Sequence, residues 1–204
     1  MNKIFLIRHG NVSRNRENRV LGCTTDPELT NEGIREVKLL ADHLKSRSIF
    51  PDRIYTSQLM RTIQTAEVLR TVLGGIIERT PFLREINYGM YEGAGKEILH
   101  DIHYGYATEK MQAGNAESVS EVEERVNIIL NIIACSDENC ILVVTHAFIA
   151  SIITQILTDS PRIFSTIQPL STADYNYFKV EGGGGKKLRV LTMQKNCLKG
   201  SFIV

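Results

Sequence analysis

The sequence predicts an α/β protein, a sheet covered by helices on both faces and built with right-handed crossovers. Three observations carry that expectation. Short apolar runs of strand length alternate along the chain with longer segments of helical periodicity. Two of the runs, Ile4-Phe5-Leu6-Ile7 and Ile141-Leu142-Val143-Val144, are continuous, as in strands buried on both faces of a parallel sheet. No internal repeat and no linker composition divides the 204 residues, a length that suits a single domain over 1–204.

The first strand, Ile4 to Ile7, stops at Arg8-His9-Gly10 and gives way to a polar loop that runs to about Thr30. Ile34, Val37, Ala41 and Leu44 then fall at helical spacing with polar residues between them, which predicts the first helix. A short strand around Arg53 to Thr56 precedes a second helix from about Gln58 to Leu73, with Met60, Ile63, Ala66, Leu69 and Leu73 on one side. Gly74-Gly75 ends it, because glycine tolerates the left-handed residue that commonly closes a helix. Ile76-Ile77 predicts another strand. The segment from Thr80 to Asn115, rich in glycine, reads as an irregular excursion with one or two short helices.

Ser118-Val119-Ser120-Glu121 matches a capping box, in which serine and glutamate satisfy the first free amides of a helix. Val122, Val126, Ile129 and Ile133 supply that helix with its apolar stripe. The stretch from Cys140 to Thr158 has no Asp, Glu, Lys or Arg and approaches the length of a membrane span. Its β-branched first half and its Thr145, His146, Ser151, Thr154 and Gln155 favour a buried strand followed by a buried helix. Two alternating runs, Tyr175 to Val180 and Leu188 to Thr192, close the chain as a hairpin around Gly182-Gly183-Gly184-Gly185. That glycine tract lacks the G-x-x-x-x-G-K-[ST] order of a phosphate loop.

Lys and Arg number 24 against 23 Asp and Glu, so the net charge of +1 argues against a nucleic-acid or membrane-surface partner. The four cysteines form no C-x-x-C pair, which reads as reduced thiols in a cytoplasmic protein. Only four apolar residues stand between Lys3 and Arg8, too few for the core of a signal peptide. His100 and His103 are spaced like metal ligands but have no accompanying cluster, and read as a surface pair. From Met1 to Gly22, five basic residues face one acid, a positive concentration hidden by the global balance.

Ligands of such sheets bind beyond the carboxyl ends of the strands. Three strand ends are informative: Arg8-His9-Gly10, then Ser57 and Arg61, then Thr145-His146-Ala147. If those strands are neighbours, two histidines and two arginines converge. Guanidinium presents a planar fork that matches a phosphoryl group, and the helix opening after His146 adds amides and a positive dipole end. A metal is the competing use of two histidines, but the strand ends carry no carboxylates to complete its shell, and neighbouring arginines would repel it.

The motif Ile7-Arg8-His9-Gly10, backed by Asn15, Arg19 and Gly22, resembles the Arg-His-Gly signature of the histidine phosphatase superfamily, also called phosphoglycerate mutase-like. The resemblance continues through Asp26-Pro27, Leu29-Thr30 and Gly33, through Thr56-Ser57-Gln58-Leu59-Met60-Arg61 and Gln64-Thr65-Ala66, and through Leu83-Arg84-Glu85, Gly89 and Glu92-Gly93. It resumes at Glu117-Ser118, Arg125 and Val144-Thr145-His146, so that ordered matches cover roughly residues 3 to 160. It implies a three-layer α/β/α fold with a mainly parallel six-stranded sheet and one antiparallel strand. It also implies that His9 is a nucleophile that becomes phosphorylated, that Arg8, Arg61 and His146 bind the phosphoryl oxygens, and that Asn15 touches the group more peripherally. Glu85 would protonate the leaving oxygen, and neither a metal nor a cofactor is needed.

The expected activity is hydrolysis of a small phosphomonoester, with specificity set by the excursion at about 80–115. Lys96, for an acidic substrate, and Ala147, at the helix opening, are further candidate substrate-binding residues. A cofactor-dependent phosphoglycerate mutase is the alternative, since Glu85, Tyr88, Gly89 and Lys96 also fit that pattern. Against it, the segment from Lys96 to Ser118 is short and lacks the mutases' paired arginines. A non-catalytic phosphate-binding regulatory protein is the third reading, disfavoured by the intact Arg8, His9, Arg61, Glu85 and His146. The chain departs from the family at Asn11-Val12, Arg14, Ala116 and Ala147. The oligomeric state is open, a homodimer included.

Overall fold

The computed structural model describes residues 2–13, 18–98, 115–160, 170–183, 186–197 and 200–202. Strand β1 (Asn2–Arg8) is followed by helix α1 (Asn31–Ser46), β2 (Arg53–Thr56), α2 (Met60–Leu73) and β3 (Ile76–Arg79). After three 3-10 turns at Pro81–Leu83, Gly89–Tyr91 and Lys96–Ile98 come α3 (Val119–Cys135), β4 (Cys140–Thr145), α4 (Ala147–Thr158), β5 (Tyr175–Gly183), β6 (Lys186–Cys197) and β7 (Gly200–Phe202). The excursion thus contains more helical turns than its glycines suggest, and the remainder of it lies outside the described residues.

The sheet runs β3-β2-β4-β1-β5-β6-β7. Strands β3, β2, β4 and β1 pair in parallel, and β5 is the reversed strand, antiparallel to β1. Strand β6 turns back through the glycine hairpin, where Gly183 pairs with Lys186, and so runs with β1 again. The expected six strands are present, and a three-residue β7 is added antiparallel to β6. Nothing in the alternation of the sequence marks so short an edge.

The apolar runs explain the layers. Alternate residues of β1 and β4 point to opposite faces, so Ile4, Leu6, Ile141 and Val143 meet α3 and α4, while Phe5, Ile7, Leu142 and Val144 meet α1 and α2. Helix α4 buries Phe148, Ile149, Ile152, Ile153 and Leu157, which is why its sequence looks like a membrane segment. No described helix is long and apolar enough to cross a membrane.

Caps fix the ends. The Thr30 hydroxyl accepts from Gly33 N at 2.9 Å to open α1, and the Ser118–Glu121 capping box opens α3. Gly74 and Gly75 close α2 at φ 78° and 90°, conformations that favour glycine. One stripe is phased differently from its sequence. Met60 is exposed, and α2 instead buries Arg61, Thr62, Thr65, Ala66, Leu69 and Leu73. Its first two turns present polar side chains inward because they face the strand ends rather than the apolar core.

Gly33 fits α1 against the loop after β1. A Cβ there would overlap the Asn11 carbonyl, and one at Gly10 would meet Gly33 O at 2.7 Å. Gly33→Ala is expected to cost about 1–3 kcal/mol as a backbone-on-backbone overpacking, read as a lower midpoint in denaturant unfolding with an unchanged slope.

Candidate active site

The order β2-β4-β1 places the three informative strand ends side by side, with Arg8 in register with Thr145 and Thr56 with Val144. His9, Ser57 and His146 therefore leave adjacent strands on one edge of the sheet. His9 N donates to Thr145 O at 3.1 Å, and the His9 and His146 rings stand 5.3 Å apart, centroid to centroid, in an edge-on arrangement.

The hydrogen bonds assign the tautomers. His9 Nδ1 lies 2.8 Å from Gly10 O, which can only accept, so Nδ1 carries the hydrogen and Nε2 the lone pair. Arg61 Nε donates to His146 Nδ1 at 3.2 Å, which leaves the hydrogen of His146 on Nε2, facing Ser57 Oγ at 2.9 Å. The Ser57 hydroxyl then turns to Thr62 Oγ1 at 2.6 Å, and Thr62 donates to Leu59 O at 2.8 Å. Thr65 Oγ1 accepts from Gly10 N and donates to Arg61 O. The polar face of α2 thus supports both histidines.

Arg61 is 1% exposed, and its remaining bonds go to main chain: Nη1 to Thr25 O at 2.9 Å and Nη2 to Gly22 O at 3.0 Å. Asp26 stands 3.7 Å from Arg61 and also accepts from Met60 N, capping α2 from a distance. Arg8, half-buried, donates from Nη1 to Leu170 O at 2.8 Å. The loop that holds Arg61 is itself held by Glu92, whose carboxylate accepts from Cys23 N and Thr24 N at 3.0 Å each, from the Thr24 hydroxyl, and from Tyr88 N at 3.3 Å.

Glu85 is 6% exposed and accepts from Ile86 N at 3.1 Å; the Phe148 amide, in the first turn of α4, also reaches its carboxylate. Burial pushes its pKa above the ordinary carboxylate value, and Arg61 and Arg8 oppose that shift. Burial, with Arg8 and Arg61 beside it, holds His9 well below the usual imidazole value, and Lys96 adds to the same effect. His146 is depressed by burial and by Arg61 in the same way. Two imidazoles whose protonation is disfavoured, two guanidiniums and a carboxyl of raised pKa make a cluster suited to a tetrahedral anion.

Arg8, His9, Arg61, Glu85 and His146 are therefore brought together. Ala147 lies partly exposed at the opening of α4, and Lys96 is exposed but close enough to bear on His9. Asn15, Arg14, His100 and His103 lie outside the described residues. Reading the sequence placed Ser57 at a strand end and in the family resemblance, and Thr65 and Glu92 in that resemblance, but gave none of them, nor Thr62, a role in the site. The signal for the threonines is their spacing beside Arg61, three polar residues on the face where an apolar stripe belongs. Among the described residues, no group of three or more His, Cys, Asp or Glu is placed to hold a metal.

A family model described as the histidine phosphatase superfamily (branch 1) matches residues 4–192. A probable phosphoglycerate mutase GpmB from Cronobacter sakazakii is 33% identical over 143 residues, covering 67% of this chain and 64% of its own. The chain spans less than two thirds of the length of the curated relatives it matches first. A phosphoserine phosphatase from Entamoeba histolytica, bound to 3-phosphoglyceric acid, superposes with a TM-score of 0.77 at 23% identity, over 97% of this chain and 98% of that one. A mycobacterial glucosyl-3-phosphoglycerate phosphatase does so at 0.79 and 18%, over 96% and 98%. Both show a shared fold.

The depressed histidines set the sign of an acid effect on stability. As pH falls through 6.5, the unfolded chain takes up protons that folded His9 and His146 refuse. Stability is therefore present above that pH and lost below it, by up to about 1.4 kcal/mol per pH unit per histidine. Glu85 acts oppositely, losing stability for the fold as pH rises through its raised value. His146→Gln, neutral throughout, is expected to reduce the acid slope by about half, measured as thermal midpoint against pH.

Proposed function

Because this chain belongs to the histidine phosphatase superfamily, we propose that it is a phosphatase that hydrolyses a small phosphomonoester through a phosphohistidine. One observation carries the reading: His9 keeps its proton on Nδ1, and so offers the Nε2 lone pair beside Arg8 and Arg61, the same guanidiniums that bear on the buried Glu85 carboxyl. Nε2 attacks phosphorus, the bond from phosphorus to the ester oxygen breaks, and Glu85 gives its proton to the departing alcohol. Water then attacks the phosphorus, Glu85 takes back a proton, and the P–N bond breaks to return neutral His9 and inorganic phosphate. Arg8, Arg61 and His146 meet the charge on the transferring oxygens, and Asn15 is a further candidate contact to the phosphoryl group.

Hydrolysis is favoured over mutase chemistry by one feature of this chain. Between Lys96 and Ser118 there is no arginine, so that segment brings no guanidinium to hold a second acidic group of a bisphosphate. Lys96 and the amide of Ala147 serve the substrate at the rim. The reaction as proposed uses no metal and no cofactor, and the substrate is small and free of nucleic acid or membrane.

Incubation with phosphomonoesters is expected to give an acid-labile phosphoenzyme and released phosphate, both abolished in His9→Ala. Isomer exchange of 3-phosphoglycerate in the presence of bisphosphoglycerate, faster than phosphate release, would instead establish the mutase. Glu85→Gln should slow hydrolysis of alkyl phosphates by about 10²–10⁴-fold. In the wild type the rate should fall on the alkaline side, as Glu85 loses the proton that its raised pKa retains.

A further inference from the structure

Glu85 is aimed by its backbone. Its carboxylate takes main-chain amides, from Ile86 beside it and from Phe148 across the cavity, and the charges that bear on it are those of Arg61 and Arg8. It follows the Pro81–Leu83 turn in a stretch without helix or strand. Such a stretch aims a side chain only if something else fixes it.

Glu117 does this from the other side of the fold. Its carboxylate, almost fully buried, accepts from Arg84 Nη2 at 3.0 Å, from Arg125 Nε at 2.7 Å and Nη2 at 3.0 Å, and from Asn87 N at 3.3 Å. Glu117 N donates to Asn87 O at 2.9 Å, and Arg125 Nη1 reaches back to Phe82 O at 2.7 Å. The cluster therefore grips residues 82, 84 and 87, on both sides of Glu85, while Thr145 Oγ1 holds Leu83 O at 2.9 Å. Closing α3 does not require Glu117, because Ser118 and Glu121 already form the capping box. Its acceptor capacity goes to the segment that carries Glu85.

We propose that Glu117, with Arg84 and Arg125, is a positioning residue for Glu85, fixing the carboxyl where it meets the leaving oxygen. The inference rests on the reading of Glu85 as proton donor. Without the Glu117 carboxylate, two guanidiniums lose their shared anion and Arg84 and Asn87 N lose their acceptor, leaving residues 82–87 held by Arg125 at Phe82, by Thr145 at Leu83 and by the Glu117 amide at Asn87. A displacement of about 1 Å at the donor costs on the order of 100-fold in rate.

The test is a double-mutant cycle of Glu117→Gln and Glu85→Gln, read with two substrates. For an alkyl phosphate, whose alkoxide needs a proton to leave, Glu117→Gln should lower kcat about 100-fold, and the double variant should be no slower than Glu85→Gln alone. For p-nitrophenyl phosphate, whose phenolate leaves without one, the change should be no more than a few-fold. Equal losses on both substrates, or additive effects of the two substitutions, would show a merely structural role and overturn the proposal.

An arm without activity separates this failure from failure of the phosphatase reading. The thermal midpoint of wild type minus that of Glu85→Gln should fall as pH rises above 4.5, and Glu117→Gln should shrink that dependence by letting water reach Glu85. An undiminished dependence overturns the proposal, even where the wild type releases phosphate from neither ester. If Glu117→Gln does not fold, Arg84→Gln, at a side chain 35% exposed, removes one arm of the clamp and should show the same substrate selectivity to a smaller degree.

Discussion

The buried guanidinium of Arg61 is the constraint on which the site depends. Taking an unpaired charge out of water costs several kcal/mol, so a side chain 1% exposed must find its partners inside the fold. It finds the Gly22 and Thr25 carbonyls and the Nδ1 lone pair of His146. Those three acceptors use three of the five N–H donors that a guanidinium carries. Each acceptor then needs its own support. The carbonyls come from a loop that Glu92 ties to the segment beyond Glu85, and a side chain at Gly22 would collide with the same carboxylate. His146 is held by Ser57, and Ser57 by Thr62, the residue next to Arg61 on the same helix.

This connectivity explains the protonation states without special pleading. A cation fixed beside two imidazoles disfavours their protonation, and burial acts in the same direction. For Glu85 the two effects oppose each other: the arginines favour the carboxylate, burial favours the acid, and burial wins. One group of positive charges thus disfavours protonation of His9, while the same enclosure raises the pKa of the Glu85 carboxyl. Acid and nucleophile are set apart by their environments rather than by residue type alone.

The layers were legible because Ile4–Ile7 and Ile141–Val144 can only be buried strands, and because glycine pairs and a capping box mark the helix ends. The convergence of His9, Arg61 and His146 needed one further fact, the adjacency of β2, β4 and β1, which pattern suggests and pairing supplies. What escaped was the phase of α2. Apolar periodicity selects Met60 and Ile63, whereas the face turned inward at that end is Arg61, Thr62 and Thr65, since a functional cavity inverts the usual rule of which side is buried. The clamp of Glu117 was equally hidden. Its partners Arg84 and Arg125 are far apart in sequence, and only their shared carboxylate reveals that they act on one segment.

The two carboxylates that organise the site stand apart from the phosphoryl pocket, and this reconciles the near-neutral chain with a strongly positive cavity. Glu92 neutralises nothing at the histidines directly; it spends its bonds on main-chain amides and a hydroxyl. Glu117 sits between Arg84 and Arg125, leaving its cluster with one positive charge in excess. Glu92 and Glu117 therefore serve as ties to main-chain amides and guanidiniums while Arg8, Arg61 and Lys96 set the field at His9. Had either tie faced the cavity, it would have competed with a phosphate for the same guanidiniums. A net charge of +1 is a count that placement does not alter; it is compatible with a positive site because the charges are unevenly distributed over the fold.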